Sequence, residues 1–459
     1  MVAFSQYGRS CTWGGRRMNN FRHHEEITSF LKQVCRKIKA KEVHPEVRLE
    51  LESHLQELIE EKLSSGIDLD TAVREAISQM GTPDVIGQQF HLAHRPRFNW
   101  GLLAIIVVLM AVGLVAIFSA QTASYRQNLS SLAMKQVLFF SIGSCLMLLI
   151  GFSNYRKLAR YSWLLYIGTI SLLFYALLTM NEAGLRGFVG WRSIQLNISS
   201  LAPYLLLIAI AGIWSTPQRI VANESEVRTF LLKSWINVGT VWLPSLLILY
   251  THSIANFVLF IIGCLSLLLV LRKRRTILAA HCSILAVAFC YFLYSQSYKI
   301  NRLLAFIHPD EDQRGINFQL TQSKMAIQSA GWWGHGFGAP FSMLPTLQTE
   351  MMFPFLIYCF GWGAGIVLVM MVVLFVQQAI SVSRKVKDPY GKAIVSTLLA
   401  LFTTQFAWSM LMSIGLAPYS SFQLPFISYS GLLVILQFVA IGLMLSVYRR
   451  KDLGAWQLT

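Results

Sequence analysis

Apolar positions along most of this chain form long segments, each followed by a polar or basic connection. About ten of these segments are long enough, or nearly so, to cross the roughly 30 Å of hydrocarbon in a bilayer as α-helices. The pattern therefore predicts an all-α polytopic membrane protein with about ten transmembrane helices. The predicted spans lie near residues 100–119, 137–152, 163–180, 201–214, 235–250, 254–271, 277–294, 353–376, 393–416 and 426–448.

The residues before the first span follow a different pattern. In residues 24–94, apolar side chains recur at helical spacing on otherwise polar segments, as Ile27, Leu31 and Val34 do. We predict a small cytoplasmic helical domain there, and its layout resembles the helical prefix domain found before some Gram-positive permeases. Residues 1–23 show no periodicity, so we expect them to be disordered or to precede the true start of translation.

Composition supports the membrane assignment. Apolar residues make up 54% of the 459 residues and charged residues only 13%, whereas about a quarter of a soluble domain is charged. The net charge of +17 comes largely from short basic runs beside the spans, where such residues fix orientation in a bilayer, and we predict no nucleic-acid partner. The seven cysteines show no paired spacing, so neither a disulfide framework nor a zinc site is predicted.

The basic runs predict the topology. They all fall on the cytoplasmic side, which positive charges prefer, if both termini are cytoplasmic. We therefore predict a multi-pass protein of the bacterial inner membrane, with a transmembrane domain at 98–450 and a cytoplasmic tail at 451–459. This topology places the connection 295–352 outside the cell. A connection of that length is uncommon unless it has a function, so the functional site is expected there.

Two polar motifs occur in order along the membrane domain. The first, in the outer loop, consists of Gln319, Gln322, Ser323, Ala326, Ile327, Gly331, Gly334, Gly336, Gly338, Leu344, Pro345 and Glu350. The second consists of Gly415, Leu416, Ala417 and Pro418, followed at 424–431 by Leu-Pro-Phe-Ile-Ser-Tyr-Ser-Gly. Together they resemble motifs of the SEDS family of shape, elongation, division and sporulation proteins, the FtsW, RodA and SpoVE type. The resemblance extends from Trp100 to about Arg450, so the N-terminal domain lies outside it.

The resemblance implies a peptidoglycan glycosyltransferase that polymerises undecaprenyl-diphosphate-linked lipid II, beside a class B penicillin-binding protein, in cell elongation, division or sporulation. Such a reaction needs a carboxylate that accepts a proton from the attacking sugar hydroxyl. It also needs positive charge near the leaving diphosphate, for which a divalent cation, Mg or Mn, is one candidate. The isoprenoid tail needs an apolar groove.

Glu350 aligns with the essential aspartate of the family's outer loop and is the candidate general base. Alternatively, Glu350 only stands at the membrane interface, solvated or paired with Lys324. Lys299, Arg302 and Lys324 are the candidates that bind the diphosphate, although surface charges on an outer loop would also explain them.

Gln319 and Gln322 are candidates for hydrogen bonds to the sugar, or they satisfy carbonyl groups of the loop. Trp191 and Arg192, with Arg186, resemble the family's Arg-Trp loop and are candidates that brace the substrate, while an interfacial aromatic belt would explain them equally well. We interpret the glycines of the first motif as sites of tight backbone turns, because no strand precedes them and no phosphate-binding GKS or GKT follows.

The chain departs from the family pattern at several polar positions. Residues 198–200 are Ile-Ser-Ser where the family has Pro-Ser-Glu, and residues 251–254 are Thr-His-Ser-Ile where it has Pro-Asp-Leu-Gly. Tyr358 and Cys359 replace an acidic pair, and Ser409 replaces an asparagine. Because ionisable groups inside a membrane are usually functional, the losses imply a rebuilt substrate path or lost catalysis. Two alternatives therefore stay open, an inactive relative that regulates a partner synthase and a flippase for lipid-linked sugars.

Overall fold

The computed structural model describes residues 24–39, 43–93, 98–123, 131–179, 187–191, 194–215, 239–271, 317–340 and 346–451, with a few isolated positions between 286 and 307. The chain divides into two compact units at the boundary between Arg97 and Phe98, and residues 450–451 belong to the first of them. The structure therefore separates the prefix from the apolar remainder of the chain.

The N-terminal unit is helical and has its own core. Its four helices are α1 (Glu25–Lys37), α2 (His44–Ser64), α3 (Leu69–Met80) and α4 (Pro83–Ala93). The apolar stripe that the sequence predicts on α1 is buried, and Val34 is fully enclosed. It packs in one cluster with side chains of α2 and α3 such as Leu55 and Val73. Gly81 follows α3 at φ 98°, a left-handed conformation that stops the helix.

The second unit contains the apolar helices. They are α5 (Trp100–Ala123), α6 (Leu132–Phe152), the short α7 (Arg156–Arg160), α8 (Ser162–Leu178), α9 (Ile198–Ser215), α10 (Gly239–Tyr250), α11 (Ile254–Val270), α12 (Phe318–Ser329), α13 (Met352–Lys385), α14 (Pro389–Ile414) and α15 (Leu432–Arg449).

Six of these helices, α5, α6, α9, α13, α14 and α15, are long and apolar enough to cross a membrane, and α8, α10 and α11 are shorter apolar helices. The predicted class, an all-α polytopic membrane fold, is confirmed. The predicted seventh span, 277–294, lies almost wholly outside the described residues, so the count of ten stays a prediction.

Basic residues gather at one end of this helical unit. There Arg449 donates a hydrogen bond to the Phe152 carbonyl oxygen at 3.2 Å, and the Tyr155 hydroxyl donates to Asp388 Oδ2 at 2.9 Å. Burial and the neighbouring Asp388 carboxylate raise the pKa of Tyr155, so the phenol keeps the proton that it donates. These contacts place the basic residues of α7 at the same end of the unit as those in the last turns of α13 and α15, which are Arg384, Lys385 and Arg449.

Two local features differ from the sequence prediction. A short antiparallel hairpin, β1 (Phe188–Trp191) and β2 (Ile194–Asn197), precedes α9. The predicted start of the last span at Phe426 is wrong, because α15 begins at Leu432. Phe426 adopts φ 64° in a buried turn, and its N–H donates to Gln437 Oε1 at 3.2 Å instead of entering a helix. Pro425, just before it, disfavours helix at the preceding residue.

The turn at Phe426 packs directly against α5 at Gly113. A Cβ added at Gly113 would collide with the Phe426 carbonyl oxygen, so Gly113→Ala should force the two elements apart. We expect a loss of about 1–3 kcal/mol in unfolding free energy, measured as a lower midpoint of thermal unfolding in detergent. Gly168→Ala on α8 is the matched control, since a Cβ there meets nothing within 4 Å. Equal midpoints for the two variants would contradict the close contact.

Candidate functional site

Glu350 lies in a turn immediately before α13. The Tyr419 hydroxyl donates a hydrogen bond to Glu350 Oε2 at 2.6 Å, and the Thr346 hydroxyl approaches the same oxygen at 3.4 Å. The Tyr429 N–H donates to the Gln348 carbonyl oxygen at 2.9 Å. The turn that carries Glu350 is therefore fastened to the segment between α14 and α15 at two points, through a side chain and through the backbone.

Lys324 contacts the same segment from α12. Gly415 ends α14 at φ 83°, and a Cβ added there would lie 2.9 Å from the Lys324 Nζ. Tyr419 follows Gly415 by four residues, so their Cα atoms are at most about 15 Å apart. Glu350 and Lys324 therefore both contact one short segment, 415–419, Glu350 at Tyr419 and Lys324 at Gly415. Within the part of the chain that the structure describes they form no salt bridge, so the alternative that the two side chains pair is not found there.

Two glutamines precede Lys324 on the same helix. Gln322 is 6% exposed, and its Oε1 has no hydrogen-bond partner among the residues that the structure describes. A buried acceptor without a donor is uncommon, which leaves this amide oxygen able to accept a hydrogen bond from a ligand. Ser323 fixes the helix, because its hydroxyl donates to the Ser413 carbonyl oxygen at 2.7 Å. Gln319 is partly exposed at the start of α12.

Helix α13 is interrupted two turns after it begins. Gly361 has φ 83° inside the helix, which leaves the carbonyl groups before it without their usual helical donors. The N–H groups of His335 and Gly336 supply the missing donors, to the carbonyl oxygens of Tyr358 and Cys359 at 2.9 Å each. The His335 ring also stacks on Tyr358 at 4.2 Å between centroids. His335 therefore has a structural role in capping the break.

The glycines of the first motif fit this break closely. All four adopt positive φ: Gly331, Gly334, Gly336 and Gly338. The Gly331 carbonyl oxygen accepts from the Trp362 N–H at 2.9 Å, on the other side of the break, and a Cβ at Gly334 would collide with the Cys359 carbonyl group. The interpretation of the glycines as tight turns is confirmed, and the turns interlock with α13.

Cys359 makes a neutral contact at a position where the resemblance implies an acidic pair. Cys359 is fully buried, and the Ser119 hydroxyl of α5 donates to its Sγ at 3.6 Å. Ser119 Oγ in turn accepts from the Gly338 N–H at 2.9 Å. Cys359 thus connects α5, α13 and the glycine motif by packing and hydrogen bonding. Ser409, at another departure, is also fully buried.

The remaining predicted site residues lie outside the described residues or next to a gap in them. Lys299, Arg302 and Arg192 lie outside the described residues, as does Arg186. The backbone of Trp191 is described, and it pairs with Ile194 in the hairpin. The structure thus places Gln319, Gln322 and Lys324 on α12, and it brings Lys324 and the partner of Glu350 to the segment 415–419.

Tyr419, which donates the hydrogen bond to Glu350, is a site residue that the sequence analysis missed. It follows the motif residue Pro418, and that position beside the second motif is the only signal for it in the sequence. Its partner Glu350 lies 69 residues earlier, so no local periodicity connects the two side chains.

Comparisons with known proteins agree on one family. The model of the FtsW, RodA and SpoVE family, described as cell cycle protein, matches residues 100–453. Stage V sporulation protein E of Bacillus subtilis (strain 168) is 26% identical over 361 residues, covering 76% of this chain and 96% of that protein. Peptidoglycan glycosyltransferase RodA of Treponema pallidum (strain Nichols) is 24% identical over 426 residues, covering 77% and 98%.

One solved structure has the same fold. A chain from a peptidoglycan synthase complex, whose description concerns the coordination of polymerization and crosslinking, superposes with a TM-score of 0.62 at 20% identity. The match covers 77% of this chain and 98% of that one.

The interlock between the glycine motif and α13 predicts different effects for two neighbouring glycines. Gly334 and Gly336 both have positive φ, so alanine at either position costs about 1–2 kcal/mol of backbone strain. Only Gly334 would also collide with the broken helix, while a Cβ at Gly336 meets nothing within 4 Å. We expect Gly334→Ala to lower the midpoint of thermal unfolding well below that of Gly336→Ala. A Gly336→Ala variant that is equally or more destabilised would show that the motif does not interlock with the helix.

Proposed function

The chain belongs to the FtsW, RodA and SpoVE family of cell cycle proteins, and from this premise we propose that it is a peptidoglycan glycosyltransferase that polymerises lipid II in bacterial cell wall synthesis. The observation that supports the proposal most is the position of Glu350, a carboxylate fixed by Tyr419 beside a segment that Lys324 also contacts. A relative with a similar sequence is named for the same activity.

The proposed orientation places both termini in the cytoplasm and Glu350 outside the inner membrane. The basic residues in the last turns of α13 and α15 lie at the same end of the helices as α7, and cytoplasmic ends are enriched in such residues. Glu350 stands at the start of α13, the end of that helix opposite its basic residues Arg384 and Lys385. Lipid-linked sugars would therefore react at the outer face.

In the proposed reaction, an acceptor sugar hydroxyl attacks the anomeric carbon of a donor sugar on lipid II. The new glycosidic C–O bond forms as the C–O bond to the diphosphate breaks, and undecaprenyl diphosphate leaves with the electron pair. Glu350 Oε1 takes the hydroxyl proton, since Oε2 already accepts from Tyr419. Gln319 and Gln322 bind the sugar, and Trp191 and Arg192 are the candidates that brace it.

Cations offset the charge of the leaving diphosphate in this proposal. Lys324 contributes from α12, and Lys299 with Arg302 contributes from the part of the outer loop before it. No group of three or more His, Cys, Asp or Glu side chains among the described residues could hold a metal ion. A divalent cation, Mg or Mn, would add positive charge beside the leaving diphosphate.

We propose a class B penicillin-binding protein as the partner and a role in cell shape, division or sporulation. The support is the similar fold of a chain from a peptidoglycan synthase complex. The membrane and undecaprenyl-linked lipid II complete the set of partners, and nucleic acid is not among them.

A second candidate function is that of an inactive relative that regulates a partner synthase. The neutral contact of Cys359 with Ser119 favours it, because the chain has there no carboxylate that could bind a cation or carry a proton. A purified chain that moves lipid II across a bilayer without making polymer would instead indicate a flippase.

The role of Glu350 is tested with labelled lipid II and the purified protein, alone and with its partner synthase. Glu350→Gln should lower the rate of glycan formation by about a hundredfold or more, because the amide cannot accept the proton, while thermal unfolding stays unchanged. Asp84→Asn, which neutralises an exposed carboxylate of the N-terminal unit, is the control and should polymerise normally. Polymer from Glu350→Gln at the normal rate would remove Glu350 as the base, and wild-type protein without polymerase activity would favour the regulatory function.

A further inference from the structure

The contact between Tyr419 and Glu350 is short and specific. The distance of 2.6 Å between the phenol oxygen and Glu350 Oε2 lies in the range of charge-assisted O–H···O hydrogen bonds. Both side chains are partly buried, so bulk water weakens this hydrogen bond less than it would weaken one between two exposed loop residues.

The backbone around Tyr419 holds its ring in place. The Trp408 indole N–H of α14 donates to the Pro418 carbonyl oxygen at 3.2 Å, which anchors the residue just before Tyr419. The Ser420 hydroxyl contacts the same carbonyl oxygen at 3.4 Å, and the Phe422 N–H donates to the Ser420 carbonyl oxygen at 2.7 Å. The phenol is thus presented by a fixed turn, so it can determine where the carboxylate lies.

The length of the Glu350 side chain matches this arrangement. An aspartate on the same backbone would be shorter by one methylene, about 1.5 Å, and its carboxylate would lie about 4 Å from the Tyr419 hydroxyl. A hydrogen bond does not form at that distance. The phenol therefore favours the longer carboxylate of Glu350.

We propose that Tyr419 is a positioning residue for Glu350, and that the two form a matched pair in which the phenol fixes a carboxylate one methylene longer than aspartate. This inference rests on the proposed function. The Tyr419 hydroxyl donates its hydrogen bond to Oε2, so Oε1 is the oxygen that accepts the proton of the sugar hydroxyl. The direction of Oε1 follows from the hydrogen bond to Oε2, because the carboxylate is planar.

The pair is tested by a double-mutant cycle of Tyr419→Phe, Glu350→Asp and the double variant, with kcat and KM for lipid II measured for each. We expect Tyr419→Phe to lower kcat by about tenfold to a hundredfold with KM changed less than about twofold, since a misplaced base slows the chemical step without weakening binding. Glu350→Asp should lose a similar factor. The double variant should be no slower than Glu350→Asp alone, because aspartate no longer reaches the phenol.

Tyr175→Phe on α8 is the matched control and should keep wild-type kinetics. Its ring is 53% exposed, and its hydroxyl makes no hydrogen bond with other described residues. A wild-type kcat for Tyr419→Phe, or losses of kcat that multiply in the double variant, would overturn the proposal that Tyr419 positions Glu350. The proposed function is tested separately by Glu350→Gln.

If the wild-type chain forms no polymer, the proposed function fails. The interaction between Tyr419 and Glu350 is then tested by the thermal unfolding of the wild type, the two single variants and the double variant. Non-additive midpoint shifts, with Tyr419→Phe lowering the midpoint only when Glu350 is present, support the matched pair. Additive shifts would overturn it.

Discussion

A helix that is interrupted inside an apolar bundle releases carbonyl groups that must find donors, because no water is present there to replace them. In this protein the break lies at Gly361 of α13, and the glycine motif of the outer loop supplies the donors. The loop is thereby fixed to the first turns of α13. Since Glu350 immediately precedes that helix, the same backbone hydrogen bonds limit where the carboxylate can stand.

The arrangement around Glu350 combines rigid support with separated charge. The carboxylate is engaged by a phenol rather than by an ammonium group in the described structure, so its charge is not cancelled by a salt bridge. Lys324 contacts Gly415 of the 415–419 segment from α12, and it forms no salt bridge with the other described residues. Glycosyl transfer requires a proton acceptor for the attacking sugar hydroxyl and positive charge near the leaving diphosphate. Glu350 would meet the first requirement and Lys324 the second.

The sequence predicts those features that local patterns determine. Long apolar segments give the spans, the stripe at Ile27, Leu31 and Val34 gives the first prefix helix, and the spacing of the glycines indicates tight turns. The predicted start of α15 was wrong because hydropathy does not detect the turn at Phe426, which has a positive φ. The side chain of Phe426 is as apolar as those of the helix.

The candidate site could be predicted only in part. Glu350, Lys324 and the glutamines were found through motifs. Tyr419 was missed because its role depends on a contact between distant parts of the chain. The hairpin at 188–197 was also missed, since each of its strands has only four residues and their pairing leaves little period-two signal.

Central to the proposed mechanism is that Glu350 takes the proton of the acceptor's sugar hydroxyl while Lys324 binds the diphosphate of the donor lipid II. The most direct measurement is a cryo-electron microscopy structure of the protein with lipid II bound. We expect the donor's diphosphate within about 4 Å of Lys324 Nζ and the acceptor's attacking sugar hydroxyl within about 3 Å of Glu350 Oε1. A lipid II molecule whose diphosphate and sugars lie away from both side chains would contradict it.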